Sequence, residues 1–474
     1  MEKVVALTQK EDQPSRLEAL SLLAVASAKV PHPSPVAGLI DGIKGAILAE
    51  LRRPQVALAA LRSGTAQYDG NPTVYRLWIG YELDLGTAET VAQAMRRTSM
   101  VQPTVIASLD PLYTRLALQK AAALPPETRE AVRGDICIAL AQGGWQQAPR
   151  TSFGNAMLGC AITAHSLRGK LVEARALLAQ SPATDTLVTL AIDRRHRALW
   201  PDVDRFGQDG FRKSLDQESA RAAAAVAAAP GNYETMMTRM QILRALGRFD
   251  EAIVAGKALA GDTAKVEVAG NDGFWLVNEY ASDLRASGRM DDAIAALDGV
   301  LALGTDRYPE LVSLEINRAE MLTAAGRYQA GLDSLAELEK HPERISPYGM
   351  MWVWANQACG MRALGRLDEA KAREVKLAAK PSDNWSAATA AVACRNDAQA
   401  IADLLVARLR DDDARSGVMG LFVEFGVPEA RTPFETARRD ALARGRALPA
   451  VQAEFAKFGR TVRYAGTMQG WSDY

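Results

Sequence analysis

The sequence predicts an all-α protein, a solenoid of antiparallel helix pairs with a period of about 39 residues. Three observations predict it. A phrase recurs along the chain, glycines hold fixed places in that phrase, and the composition is rich in alanine and leucine with only 6% aromatic residues. At 474 residues the chain exceeds what one compact core usually serves, so a repeated unit is the economical expectation.

The phrase is RALGRFDEAIVAGKALA from Arg244, RASGRMDDAIAALDGVLAL from Arg285, TAAGRYQAGLDSLAEL from Thr323 and RALGRLDEAKAREVKLAA from Arg362. Its glycines, Gly247, Gly288, Gly326 and Gly365, are spaced by 41, 38 and 39 residues. Internal periods of this size point to a repeat array. Each glycine follows a helical run, where the backbone can turn left-handed without a Cβ penalty. Asp250, Asp291 and Asp368 are placed to open and cap the next helix. Ala252, Ala293 and Ala370, with Gly331 in the equivalent place, allow close backbone approach. Phe249, Met290, Tyr328 and Leu367 are expected to wedge into the hairpin, and Leu243, Leu284, Leu322 and Met361 to face the same seam.

The register extends outward in weaker form. SLRGKLVEARALLAQS from Ser166 to Ser181 has Gly169 and Ala174 in the glycine and small places. The runs 186–199 and 214–229 fill one degenerate unit, separated by a connector around Asp202 to Gly210. Val74 to Arg97 around Gly86 and Ala37 to Ala66 around Pro54 are looser copies. VPHPSPVAG at Val30 to Gly38 reads as an interhelical loop. The expected organisation is one continuous solenoid over 1–474: degenerate repeats over 1–150, transitional ones over 155–230, and the best copies over 232–380. A C-terminal hairpin (386–410), closing helices (434–446, 449–458) and an aperiodic tail fill 385–474.

These phrases resemble the tetratricopeptide repeat family. Trp354 and Met236 stand where the family places a bulky residue early in the first helix, and Ala281, Ala319 and Ala358 supply its small residue eight places in. The family glycine at that place is absent, and its closing proline occurs only as Pro381 in the four best units. The repeat is also longer than the usual ~34 residues. The resemblance is strong over Tyr233 to Lys380 and implies a right-handed superhelix whose first helices line a concave, ligand-holding groove.

Composition narrows the function classes. Lysine plus arginine and aspartate plus glutamate number 56 each, so no basic excess points to nucleic acid; the basic run Arg431 to Arg446 reads as a solvated helix face. Cys137, Cys160, Cys359 and Cys394 are widely spaced among apolar residues, and are expected to be small buried thiols in a reducing cytoplasm. No stretch approaches a membrane span and the amino terminus lacks a signal-peptide core, so a soluble, cytoplasmic protein is expected. His32, His165, His196 and His341 stand alone, GIKGAIL at Gly42 to Leu48 lacks the phosphate-loop spacing, and Asp411 to Asp413 lacks calcium-loop alternation. No catalytic, metal or cofactor constellation emerges.

What the repeats offer is a surface. One face of the first helices presents Asn278, Asn317 and Asn356, spaced by 39 and 39, with Arg244, Arg285 and Arg362 late in their helices. Asparagine can donate to and accept from a peptide backbone, and arginine can clamp a carboxylate. Trp275 and Trp352 can add apolar anchors. The same residues can instead stabilise the repeat interfaces. The leading expectation is a non-catalytic scaffold holding a protein or peptide partner, with no nucleic acid and no membrane insertion. The alternatives are a ligand-sensing regulator acting through a partner and, more remotely, an α/α-scaffold enzyme using carboxylates such as Glu315 and Glu320.

Overall fold

The computed structural model describes residues 2–10, 12–145, 152–427, 429 and 431–467; the end of the expected tail, 468–474, lies outside them. The chain divides into two compact units, the first ending at Gln180 and the second beginning at Ser181. Both are built of helical hairpins.

The first unit runs α1 (Glu2–Thr8), α2 (Gln13–Ser27), α3 (Pro35–Glu50), α4 (Pro54–Gln67), α5 (Pro72–Leu85), α6 (Ala88–Val101), α7 (Pro103–Ala107), α8 (Pro111–Ala122), α9 (Pro126–Gln142), α10 (Ser152–Leu167) and α11 (Leu171–Leu178). Proline opens many of these helices, with Ser34 and Asn71 capping α3 and α5 through side-chain oxygens. The expected eroded hairpins are present as α3–α4 and α5–α6. In α3–α4 the helices meet through glycine: a Cβ on Gly64 would stand 2.6 Å from the Gly42 amide nitrogen. Between α4 and α5, Arg62 holds the buried Glu82 in two hydrogen bonds of 2.7 and 2.8 Å, and Trp78 Nε1 donates to the same carboxylate at 2.8 Å.

The second unit begins with α12 (Thr184–Ile192), a 3-10 turn (Arg194–Leu199), α13 (Trp200–Gly207) and α14 (Arg212–Ala228). The connector expected around Asp202 to Gly210 is therefore mostly helix; Val203, buried at 0% exposure, draws it onto the core. Then come α15 (Tyr233–Ala245), α16 (Phe249–Ala260), α17 (Thr263–Ala269), α18 (Asn271–Ala286), α19 (Met290–Leu301), α20 (Leu311–Ala324), α21 (Tyr328–Glu339), α22 (Pro347–Ala363) and α23 (Leu367–Ala379). First helices adjoin one another in order, α15 to α18 to α20 to α22, and each second helix packs on the next first helix. That is the stacking of a helical-repeat solenoid.

The four hairpin turns over 233–379 each have three residues, and the glycine in each has positive φ: 74°, 87°, 78° and 77° at Gly247, Gly288, Gly326 and Gly365. The long period comes from elsewhere. The connections between hairpins are long, one holding α17 and another a 3-10 turn at Pro342–Arg344. Ala252, Ala293 and Ala370 are fully buried, and Leu243, Leu284, Leu322 and Met361 line the seam as expected.

Two local expectations need correction. The residue before each second helix is Arg248, Arg289, Arg327 or Arg366, without a side-chain cap, and the aspartates sit inside the first turn. They can meet the helix dipole there, but the chain has already turned helical before them. Instead Arg248, Arg289 and Arg366 reach across one turn to Glu251, Asp292 and Glu369. Nor does Leu367 wedge inward: it is 55% exposed, whereas Phe249, Met290 and Tyr328 at the same helical position are partly buried.

The cysteines are not thiols. Cys137 of α9 is bonded to Cys160 of α10, and Cys359 of α22 to Cys394 of α24 (Trp385–Cys394). Sequence separations of 23 and 35 looked unrelated, yet hairpin stacking brings these positions to Cα distances of 5.8 and 5.4 Å.

The second unit closes with α25 (Ala398–Arg410), α26 (Arg415–Met419), β1 (Val423–Phe425), α27 (Pro433–Arg446), α28 (Pro449–Phe458) and β2 (Val462–Tyr464). The expected closing hairpin and helices are present. Within the tail, however, β2 pairs in parallel with β1, Val423 opposite Val462, which the sequence reading missed.

Candidate functional site

The face that carries the periodic polar residues lies along α15, α18, α20 and α22. At its centre Asn317 donates from Nδ2 to Asn278 Oδ1 at 2.8 Å, joining two successive first helices. Asn356, one repeat further, is buried, and its Nδ2 has no hydrogen-bond partner among the described residues. Trp275 stands in the first turn of α18 and is 37% exposed, while Trp352 is half-buried between the cores around Val353 and Ala387.

The arginines are spoken for by the chain itself. Arg244 is buried and donates from Nε to Asp283 Oδ1 at 2.5 Å and from Nη2 to Glu279 Oε2 at 2.7 Å, both on the next first helix. Burial pushes the Asp283 carboxyl up to about 6 against the attraction of Arg244, while the two acids hold the guanidinium firmly charged despite its own burial. Arg285 repeats the arrangement one step along, donating to both oxygens of Glu320 at 2.9 and 3.1 Å. Arg362 donates to Glu374 of its own hairpin at 2.7 Å.

The C-terminal elements complete this row. Arg285 also donates to Glu435 of α27 at 2.7 Å, and Arg438 lies 3.7 Å from Glu320. Burial would raise the Glu320 pKa, but Arg285 and Arg438 together bring it below the ordinary carboxylate value. Phe434 packs on Tyr328, and a Cβ on Gly247 would come within 2.6 Å of Val427. Thr467 donates its amide to the Ala245 carbonyl at 2.9 Å, capping the end of α15. Further along the same segment, Ala465 donates to Gly210 at 2.8 Å and Arg460 to Ile192 at 2.9 Å.

Five of the eight predicted residues fall into two sets, while Arg362 pairs within its own hairpin and Trp275 and Trp352 join neither. Asn278 and Asn317 are brought together in one ladder that leads toward Asn356. Arg244 and Arg285 are ion-paired links between repeats. Glu315 does not pair with Glu320 as an acid–base couple would: it accepts from Ser334 and lies 3.5 Å from Arg318. The acids opposite Arg244 and Arg285 escaped sequence reading, as did the contact of the expected helix 434–446 with this row. The capping box Thr432 to Glu435 was the one legible signal that α27 begins there. Among the described residues no group of three or more His, Cys, Asp or Glu side chains is placed to hold a metal ion, and no helix is long and apolar enough to cross a membrane.

Fold and site together define a helical-hairpin repeat protein with an inward row of cross-repeat polar contacts. No protein-family model matches the chain, and no curated protein matches it. A solved structure, the APC/C hetero-tetramer Cut9-Hcn1, is similar over 94% of this chain and 87% of that chain, at 11% identity and a TM-score of 0.29. At that level neither residues nor function are carried over from it.

Proposed function

We propose that the chain is a tetratricopeptide-like scaffold, without catalytic activity of its own, that holds an extended segment of a protein partner on the asparagine face of α18, α20 and α22. The asparagine ladder carries this reading. Its Asn278–Asn317 contact leads toward a buried amide at Asn356 that lacks a partner, and such a donor is costly until something accepts from it. A peptide carbonyl is a fitting acceptor, with Trp275 as an apolar anchor at the helix start. Arg244 and Arg285 hold the groove's shape in this reading and do not touch the partner. The two disulfides favour an oxidising compartment over the cytoplasm expected from the sequence.

The test is affinity capture from the native source, followed by titration of the captured partner against wild type and the double variant Asn317→Leu/Asn356→Leu. Leucine matches asparagine in shape; at Asn356 it removes the unpaired amide, and at Asn317 it leaves Asn278 Oδ1 without its donor. Loss of the hydrogen bonds should weaken binding roughly tenfold for each position, while the lost Asn278 contact lowers stability by only about 1 kcal/mol. A partner held equally well by the double variant removes the asparagine face from the binding site.

A further inference from the structure

The link between the hairpins α15–α16 and α18–α19 carries a charge imbalance. Arg244 of α15 faces two carboxylates of α18, Glu279 and Asp283, one turn apart on the same side of that helix. Glu279 is well served: it accepts from Arg244 Nη2 at 2.7 Å and from Gln241 Nε2 at 3.1 Å, and it keeps some contact with solvent. Asp283 has less. Its side chain is 0% exposed, Oδ1 accepts from Arg244 Nε at 2.5 Å, and Oδ2 has no hydrogen-bond partner among the described residues. One guanidinium cannot neutralise two carboxylates, and a buried ionised oxygen without a donor is costly. A proton on Oδ2 removes that cost.

The charged groups of the other elements packed on α18 are committed elsewhere or exposed. Arg248 and Glu251 of α16 pair with each other, as do Arg289 and Asp292 of α19, while Asp250 and Lys257 of α16 are exposed. Asp291 and Asp298 of α19 pair with Arg327 and Arg318. Glu267 of α17 accepts from Tyr308, and Glu320 of α20 is held by Arg285 and Arg438. Burial raises the Asp283 pKa most, Arg244 opposes it and Glu279 adds to it, which leaves the carboxyl at about 6. Opening the junction to water returns the group to its ordinary 3.8. The closed junction therefore holds the proton more tightly than the open one. The stability this lends is complete below 3.8 and is lost as pH rises through about 6.

We infer that the α15–α18 junction is a proton-operated clasp: Asp283 takes up a proton on Oδ2 in mildly acidic surroundings and the clasp tightens, and it gives the proton up toward neutrality and the clasp loosens. Arg244 keeps Glu279 throughout. The end of α15 lies under the C-terminal segment, where Thr467 donates its hydroxyl to the Arg244 carbonyl at 3.3 Å and its amide to the Ala245 carbonyl at 2.9 Å. The same proton thus sets how firmly that segment is seated. No partner is needed for this, so the test uses the full chain alone. Hydrogen exchange, corrected for intrinsic rates, compares about pH 5 with about pH 7.5. Amides of α15, α18 and the segment 460–467 should be about tenfold better protected at the lower pH, the factor that follows from lying one unit below the closed-state value. Asp283→Asn, a neutral side chain of the same shape, should remove most of that difference, while amides of α22 and α23 give the same ratio in both proteins. Infrared spectra of wild type carrying isotope-labelled aspartate read the proton directly: a protonated aspartate carbonyl band should be present at about pH 5 and lost by about pH 7.5. Equal protection at both pH values, a difference retained in Asp283→Asn, or no such band at the lower pH overturns the clasp.

Discussion

The hairpins over 233–379 and those over 35–101 solve the same problem with different residues. In the later set, specificity sits in the turn: three residues, one glycine at positive φ, and an arginine that pairs one turn onward. In the earlier set it sits in the interface, where Gly38 and Gly45 of α3 face the second helix, Gly64 answers from α4 against the Gly42 backbone, and Gly42 itself faces Val74 of α5. A turn demands one residue type at one place and so leaves a visible period. An interface can be filled by many combinations, so its pattern fades while the hairpin persists.

The contrast is sharpest in the buried charges. Arg244 serves two acids and is itself buried, whereas Arg62 serves one, Glu82, which keeps the Trp78 donor. Arg244→Met should therefore cost about 3–5 kcal/mol in chemical unfolding of the second unit, since two acids lose their counter-charge. Arg62→Met should cost the first unit about 1–3 kcal/mol. Equal losses would break the comparison.

Each unit also holds one disulfide, closing loops of 23 and 35 residues in sequence separation. Chain-entropy arguments give about 3–4 kcal/mol for each, and the similar loops predict similar losses in Cys137→Ser/Cys160→Ser and Cys359→Ser/Cys394→Ser. Intact mass under alkylation without reductant should show no free thiol. Four labelled cysteines would return the protein to the reducing environment its sequence alone pointed to.

The smallest effects separate turn from interface most directly. Gly326→Ala meets no atom within 4 Å and suffers only from its φ of 78°, about 1–2 kcal/mol. Gly64→Ala keeps an ordinary helical backbone but drives a methyl into the Gly42 backbone, and the helices must part, costing about 1–3 kcal/mol. Thermal unfolding of the two variants distinguishes them by which unit loosens.

Much of this fold could be read from residues, and the limits have physical causes. Gly247, Gly288, Gly326 and Gly365 announced their turns because few other residues tolerate that backbone conformation. Ala252 and its equivalents announced close packing because larger side chains would not fit. Asn278 and Asn317 were legible as one face because 39 residues separate them, but not as partners of each other. Asp283 and Glu320 were invisible as partners because acids are common and nothing local marks the one that an arginine 35 or 39 residues away selects. The cysteine pairs, the β1–β2 pairing and the return of the C-terminal segment are long-range closures, and local sequence carries little trace of them.

That return has a consequence for how the protein is made. An open repeat array can complete each hairpin as it leaves the ribosome, because every unit leans only on its neighbours. Here the end of α15 waits for Thr467, 223 residues after Arg244. The second unit must therefore stay unfinished while those 223 residues are made, its helix end sealed only when the segment around Thr467 arrives.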